Sequence, residues 1–94
     1  MVEKKHVEGM KKGEILLYVL STCIWCKKTK SLLNELGVEY DFIEVDLIED
    51  LDEKKGVQKE IKKWNPELSF PTIVINEKDC IRGFEEDKIR EICK

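Results

Sequence analysis

The sequence predicts a single α/β domain with a four-stranded mixed sheet and helices on both faces. The order of elements is β-α-β-α-β-β-α, and 94 residues leave no room for a second domain. In the first half of the chain, apolar runs of strand length alternate with segments of helical period, which is typical of a parallel βαβ unit with a right-handed crossover. Two short extended runs then flank a turn at residues 76–79, which predicts an antiparallel hairpin.

The first strand and the first helix give the clearest signals. Residues 15–20 are continuously apolar, as in a strand that is buried on both faces. A helix over 24–36 should follow, with Ser21 or Thr22 as its N-terminal cap and Gly37 as its C-terminal stop. We expect its buried stripe to consist of Leu32, Leu33 and Leu36.

The second half of the chain has shorter elements. Residues 39–45 alternate in polarity, which predicts a strand with Tyr40 and Phe42 facing inward. A helix over 52–65 should follow and end before Pro66. Its apolar residues at helical spacing are Val57, Ile61 and Trp64. The last elements are strands over 71–75 and 80–82 and a closing helix over 85–93.

The N-terminal segment gives little signal. Residues 1–13 are polar and show no period, so we expect a loose extension before a single domain at 14–94. His6 has no partner of ligand type nearby in the sequence, and we expect a solvated side chain.

Composition and charge argue against several classes of function. A net charge of −3 is not that of a dedicated nucleic-acid or membrane-surface protein. No apolar run approaches the roughly 20 residues that a membrane helix needs. The first residues lack a hydrophobic signal region, so we expect a cytoplasmic protein, and a monomer. Four cysteines in such a chain favour redox chemistry or metal binding over a structural disulfide framework.

The chemistry of the chain points to Cys23-Ile-Trp-Cys26, at the junction of the first strand and helix. A helix N-terminus stabilises a thiolate, so Cys23 is the expected attacking sulfur and Cys26, three residues on, the resolving one. Lys27 adds positive potential beside them. The alternative is half of a zinc site completed by Cys80 and Cys93, but their spacing is not that of a second zinc knuckle, and we expect no metal.

Three motifs in order resemble the glutaredoxin branch of the thioredoxin superfamily. They are the segment 18–30 around the dithiol, Phe70-Pro71-Thr72, and Arg82-Gly83-Phe84, and the resemblance covers residues 14–93. It implies a thioredoxin/glutaredoxin fold and a thiol–disulfide oxidoreductase active in electron transport and cell redox homeostasis. It also implies a cis peptide bond at Pro71, which faces the dithiol.

The same resemblance implies a substrate groove beside the dithiol. In this family the residue before the proline, here Phe70, offers its backbone to the substrate chain, and Gly83 and Phe84 border the groove. Trp25, inside the dithiol turn, should be exposed and contact the partner. The expected substrates are disulfide-containing proteins.

The electron donor stays open between two candidates. Glutathione-using members carry a Gly-Gly pair followed by a polar residue, where this chain has Arg82, Gly83 and Phe84. Many members also carry a basic residue just before the dithiol, where this chain has Leu20-Ser21-Thr22. The added bulk and the missing positive charge should weaken the binding of anionic glutathione. The segment 83–89 resembles the small glutaredoxin-like redoxins with thioredoxin-like activity that serve ribonucleotide reductase. We therefore favour a thioredoxin-reductase-type donor, with glutathione as the alternative and no cofactor required.

Two further hypotheses belong to other classes. Some glutaredoxins carry an iron–sulfur cluster bridged between two protomers, and Cys23 would be the ligand here. An inactive docking domain would require an idle dithiol, which the intact motif argues against. For Cys80 and Cys93 we expect separate buried or half-buried thiols. The alternative is a second disulfide bridge, which would require their Cα atoms to lie within about 7 Å of each other.

Overall fold

The structure, a computed structural model, describes residues 4–93 and contains a mixed sheet with helices on both faces. Its strands are β1 (Lys5–Val7), β2 (Ile15–Val19), β3 (Tyr40–Glu44), β4 (Thr72–Ile75) and β5 (Asp79–Arg82). Its helices are α1 (Ile24–Leu36), α2 (Leu51–Trp64) and α3 (Glu86–Ile92), with a 3₁₀ turn at Val45–Leu47. The strand order is β1-β3-β2-β4-β5, with β2 parallel to β3 and all other pairs antiparallel. This confirms the predicted order of elements from β2 onwards.

The sheet has five strands, so the prediction of four is wrong. The additional strand is β1, which pairs with β3 through the register Lys5–Phe42, His6–Asp41 and Val7–Tyr40. The expectation of a loose extension therefore fails at Lys5–Val7. A strand of three residues is too short to show a period in the sequence, and what holds it is the open edge of β3.

His6 is exposed, as the sequence suggests, but it lies in β1 rather than in a loose tail and has two carboxylate partners. Its Nδ1 lies 2.5 Å from Oδ1 of Asp41, and its Nε2 lies 3.6 Å from Oε1 of Glu39. The hydrogen bond with Asp41 is the largest cause of a raised His6 pKa. The protonated ring can donate to Asp41 and form an ion pair with Glu39, so it links β1 to the edge of the sheet.

We expect the docking of β1 to be tighter in mildly acidic solution. The folded-state pKa of His6 is raised, so its stabilisation is fully present below the unfolded value of about 6.5 and is lost as the pH rises through the folded value. The chain has one histidine, so its ring proton signals in an NMR titration are unambiguous. The titration should give a pKa above about 6.5 that returns to the ordinary value in Asp41→Asn. An unshifted wild-type pKa would show that the ion pair does not form in solution.

The alternation of β2 assigns each face of the sheet to different helices. Leu17 and Val19 pack into a core with α1 and α3, whereas Tyr18 packs into a second core with α2. The predicted buried positions of the helices are confirmed for Leu32, Leu33, Val57 and Ile61, while Leu36 and Trp64 are half-buried. Within residues 4–93, no helix combines the length and the apolar character needed to cross a membrane. The carboxyl end of β2 delivers the chain to the first turn of α1, where the dithiol lies.

Candidate active site

Cys23 is itself the N-terminal cap of α1. Its backbone is extended (φ −81°, ψ 119°), and its Sγ accepts a hydrogen bond from the backbone N–H of Cys26 at 3.2 Å. The prediction that Ser21 or Thr22 caps this helix is therefore wrong, although the helix bounds are as predicted. The half-buried Sγ of Cys23 thus accepts a hydrogen bond from one of the backbone amides that have no partner within the helix, at the positive end of the helix dipole.

Ser21 has a different role, which is to tie down the turn before the dithiol. Its backbone N–H donates to Oδ1 of Asp46 at 2.9 Å, and its hydroxyl donates to Oδ2 at 2.5 Å. The hydrogen bond from the Ser21 hydroxyl is the largest cause of the lowered pKa of Asp46. The entrance to the dithiol turn is therefore held to the 3₁₀ turn that follows β3.

Cys26 is fully buried and contrasts with Cys23. The pKa of Cys26 is raised to about 12, mainly by burial and secondly by its hydrogen bond with Cys23. At neutral pH the proton therefore stays on Cys26. The positive charge that opposes this shift comes from Lys30. The predicted activating residue, Lys27, is exposed and lies with Phe84 along the cleft between α1 and α3.

The structure brings the Phe70–Pro71 loop against the Gly83 turn. The Phe70–Pro71 peptide bond is cis, as the resemblance implies. The backbone N–H of Gly83 donates to the carbonyl of Pro71 at 2.7 Å. Gly83 has a φ of 80°, a left-handed conformation that glycine adopts without cost. Phe70 and Cys23 are both half-buried against the core beneath α1.

Trp25 and Phe84 form an aromatic contact that joins two of the predicted motifs. Their ring centroids lie 6.0 Å apart with an interplanar angle of 28°, and the ammonium of Lys28 lies 4.6 Å from the Trp25 ring centroid. Trp25 is 51% exposed, which confirms the expected exposure. The pair connects the dithiol turn to the Gly83–Phe84 turn, and the Gly83 N–H joins that turn to the Pro71 carbonyl.

Asn65 is a site residue that the sequence analysis missed. Its side chain is fully buried at the end of α2. The amide Nδ2 donates to the Ser69 carbonyl (3.1 Å), the Ser69 hydroxyl (2.8 Å) and Oγ1 of Thr72 (3.2 Å), while Oδ1 accepts from the Glu67 backbone N–H (3.3 Å). Asn65 therefore organises the loop that carries Phe70 and Pro71. An asparagine directly before Pro66 was the available signal, since this dipeptide favours turns.

The other two cysteines lie on opposite faces of the sheet. Cys80 lies opposite Val74 in the β4–β5 pair, and Val74 belongs to the core beneath α2. Cys93 belongs to the core on the α1 and α3 side. Both are free thiols, half-buried and buried respectively, as predicted. The sheet between them rules out a second bridge in this fold and a four-cysteine zinc site, and residues 4–93 contain no cluster of three or more potential metal ligands.

Comparison with known proteins decides the family. The glutaredoxin family model matches residues 15–80, which include the dithiol, the Phe70–Pro71 loop and most of the sheet. The chain belongs to the glutaredoxin family. It is 46% identical to a glutaredoxin structure from Methanosarcina mazei Go1, with a TM-score of 0.88 over 96% of this chain and 86% of that one. It is 47% identical to the methanoredoxin of Methanosarcina acetivorans, with a TM-score of 0.86 over 90% of this glutaredoxin and 88% of that chain.

Bacterial relatives are more distant in sequence. A glutaredoxin-like 8.6 kDa protein encoded in the rubredoxin operon of Clostridium pasteurianum is 31% identical over 83% of this chain and 95% of its own length. Glutaredoxin 1 of Rickettsia felis is 31% identical over 78% of this chain and 72% of its own. The family and the fold are thus those that the three motifs predict.

Proposed function

We propose that this glutaredoxin is a dithiol–disulfide oxidoreductase that reduces protein disulfides through Cys23 and Cys26. The observation that carries the proposal is the difference between the two sulfurs. Cys23 is partly accessible and accepts the Cys26 amide hydrogen bond, whereas Cys26 is fully buried and keeps its proton. An attacking thiol must be accessible to its substrate, whereas a resolving thiol has only to reach the attacking sulfur, so the two positions suit different steps.

The reaction proceeds in two exchanges. The Cys23 thiolate attacks one sulfur of the substrate disulfide, so a Cys23–substrate S–S bond forms, the substrate S–S bond breaks, and the departing sulfur takes a proton from solvent. Cys26 then loses its proton and attacks Sγ of Cys23, which forms the Cys23–Cys26 disulfide and releases the second substrate thiol. In total two electrons pass from the dithiol to the substrate, the two protons that the dithiol loses are balanced through solvent by the two that the substrate thiols gain, and an electron donor must then reduce the enzyme again.

The surroundings of the dithiol suit an extended protein chain. The Phe70 backbone would pair with the substrate chain, and Gly83 would allow that chain to approach closely because it has no side chain. The Trp25–Phe84 pair supplies an exposed apolar contact beside Cys23. Four free cysteines suit a reducing compartment, so we place the protein in the cytoplasm, acting as a monomer.

We infer a protein reductase as the electron donor rather than glutathione. Phe84 stacks on Trp25 where glutathione-using members carry a polar residue. Arg82 stands where those members carry the first glycine, and its Nε donates to the Trp64 carbonyl at 3.1 Å, which holds the side chain at the end of α2. Glutathione would therefore meet added bulk at both positions, and residues 20–22, just before the dithiol, supply no positive charge for its carboxylate.

The donor is tested by reducing the oxidised protein with two systems and insulin as the substrate. We expect a thioredoxin-reductase-type flavoprotein with NADPH to give a kcat/KM at least about tenfold above that of glutathione with glutathione reductase, a difference of about 1.4 kcal/mol. Equal or better turnover with glutathione would overturn the donor and leave the oxidoreductase intact. The function itself would be overturned if neither donor system supported insulin reduction and the protein did not accelerate the reduction of insulin by dithiothreitol above the rate with dithiothreitol alone.

A further inference from the structure

We propose that the groove between α1 and α3 docks an extended segment of the partner protein, and that this segment carries a carboxylate next to an apolar side chain. The proposal rests on the proposed function, since it concerns how a protein disulfide reaches Cys23. The groove is open to solvent and has a volume of about 390 Å³.

The groove begins at the dithiol. Ile24 lines it and directly follows Cys23. Phe84 lines it as well and stacks on Trp25, the residue before Cys26. A segment that presents its disulfide to Cys23 therefore has this groove directly beside it.

The groove has an apolar strip at its dithiol end. Ile24 is 63% exposed although it lies in the first turn of a helix against the core, and Phe84 is half-buried beside it. Leu32 lies buried at the floor. Covering the exposed Ile24 side chain with an apolar side chain of the partner would remove apolar area from water, which favours binding next to the reactive thiol.

The charges on the walls indicate which polar group accompanies that side chain. Glu86 and Arg90 form an ion pair at 2.8 Å, so their charges balance each other within the groove. Lys27 and Lys28 make no ion pair among residues 4–93, and the Lys28 ammonium rests over the Trp25 ring. Glu35 is the remaining acid and lies two helical turns farther along α1 than Lys27 and Lys28. The dithiol end of the groove is therefore positive, which complements a carboxylate on the partner.

The test uses two synthetic peptides with the same intramolecular disulfide, flanked on both sides by Glu-Leu or by Lys-Leu. At low ionic strength we expect the wild-type kcat/KM for the acidic peptide to be about five- to tenfold above that for the basic one, because exposed ion pairs are weak but two lysines act together. The ratio should fall towards one in about 1 M salt, where the Debye length is near 3 Å.

The variants locate this preference. In Lys27→Glu/Lys28→Glu the ratio should vanish or reverse, whereas Lys59→Glu/Lys62→Glu, the same charge change on α2 across the sheet, should keep it. A ratio within each variant cancels any general change in reactivity at Cys23. Equal rates in the wild type, or a ratio that survives the Lys27 and Lys28 changes, would overturn the groove while the turnover itself upholds the oxidoreductase. If the wild type reduces neither peptide nor insulin, the proposed function fails instead.

Discussion

Replacing Cys23 with serine is expected to abolish the reduction of protein disulfides, with turnover below about a thousandth of the wild-type rate. A serine hydroxyl at this cap position can still accept the Cys26 amide hydrogen bond, so α1 should keep its N-terminus. What is lost is the thiolate, the only form of the side chain that attacks a disulfide. The insulin precipitation assay measures this directly, with circular dichroism to show that the fold persists.

Cys26→Ser should fail at a different step. Cys23 can still attack, but no buried thiol follows to release the product, so the mixed disulfide with the substrate persists. A single exposure of the reduced variant to a disulfide peptide, without an electron donor, should give a covalent adduct in the mass spectrum. Cys80→Ser is the matched control, because Cys80 lies on the face of the sheet that α2 covers, and it should retain turnover.

The adduct decides the assignment of roles. If Cys23→Ser forms the trapped adduct and Cys26→Ser does not, the attacking and resolving sulfurs have been assigned the wrong way round. That result would also conflict with the burial of Cys26, whose raised pKa keeps its thiol protonated at neutral pH. If both Cys23→Ser and Cys26→Ser kept the wild-type rate, the other two hypotheses, an iron–sulfur carrier or an inactive docking domain, would be favoured.

The sequence was sufficient to predict those structural features that depend only on residues close together in the chain. The apolar run in β2 and the stop at Gly37, whose φ is 69°, each act within a few residues. The strand β1 could not be predicted in the same way, because its three residues gain their structure from the edge of β3. The cap of α1 shows the same limit. Serine has a better intrinsic preference for the cap position than cysteine. However, the backbone N–H and the hydroxyl of Ser21 both donate to the Asp46 carboxylate, and Cys23 caps the helix instead.

The features of the candidate site also separate into those that depend on residues close together in the chain and those that depend on distant ones. The dithiol and the Phe70–Pro71 pair are motifs with a fixed local spacing, so they can be recognised in the chain. The stacking of Trp25 on Phe84 joins residues that are distant in sequence, and no local rule predicts it. Asn65 was missed because burial of a polar side chain is justified only by partners that the folded loop supplies.

Asn65→Ala is expected to lower the free energy of unfolding by about 2–4 kcal/mol, among the larger effects of a single substitution in this chain. The asparagine side chain makes four hydrogen bonds in a site without solvent, and alanine can make none of them. The Glu67 N–H and the Ser69 carbonyl lose a partner in the process. Urea unfolding followed by far-UV circular dichroism measures the change.

Asn34→Ala is the matched control for stability. Asn34 is exposed, and its one described side-chain hydrogen bond accepts from the Tyr40 hydroxyl at 3.0 Å. Its loss should cost less than about 1 kcal/mol, partly offset because alanine favours the helix. If Asn65→Ala costs no more than Asn34→Ala, the network around Asn65 does not hold the loop.

The same variant tests whether the loop is part of the machinery. Asn65 lies outside the proposed substrate groove, so any effect on activity must pass through the position of Phe70 and Pro71. On the proposed function, protein disulfides use the Phe70 backbone and a small aromatic disulfide uses only Cys23. A loosened loop should therefore slow the reduction of protein disulfides more than that of the small disulfide. Equal losses for both substrates would mean that the substitution damages the dithiol itself. A loss confined to protein substrates would tie the buried end of α2 to substrate binding, through hydrogen bonds that never touch the reacting sulfurs.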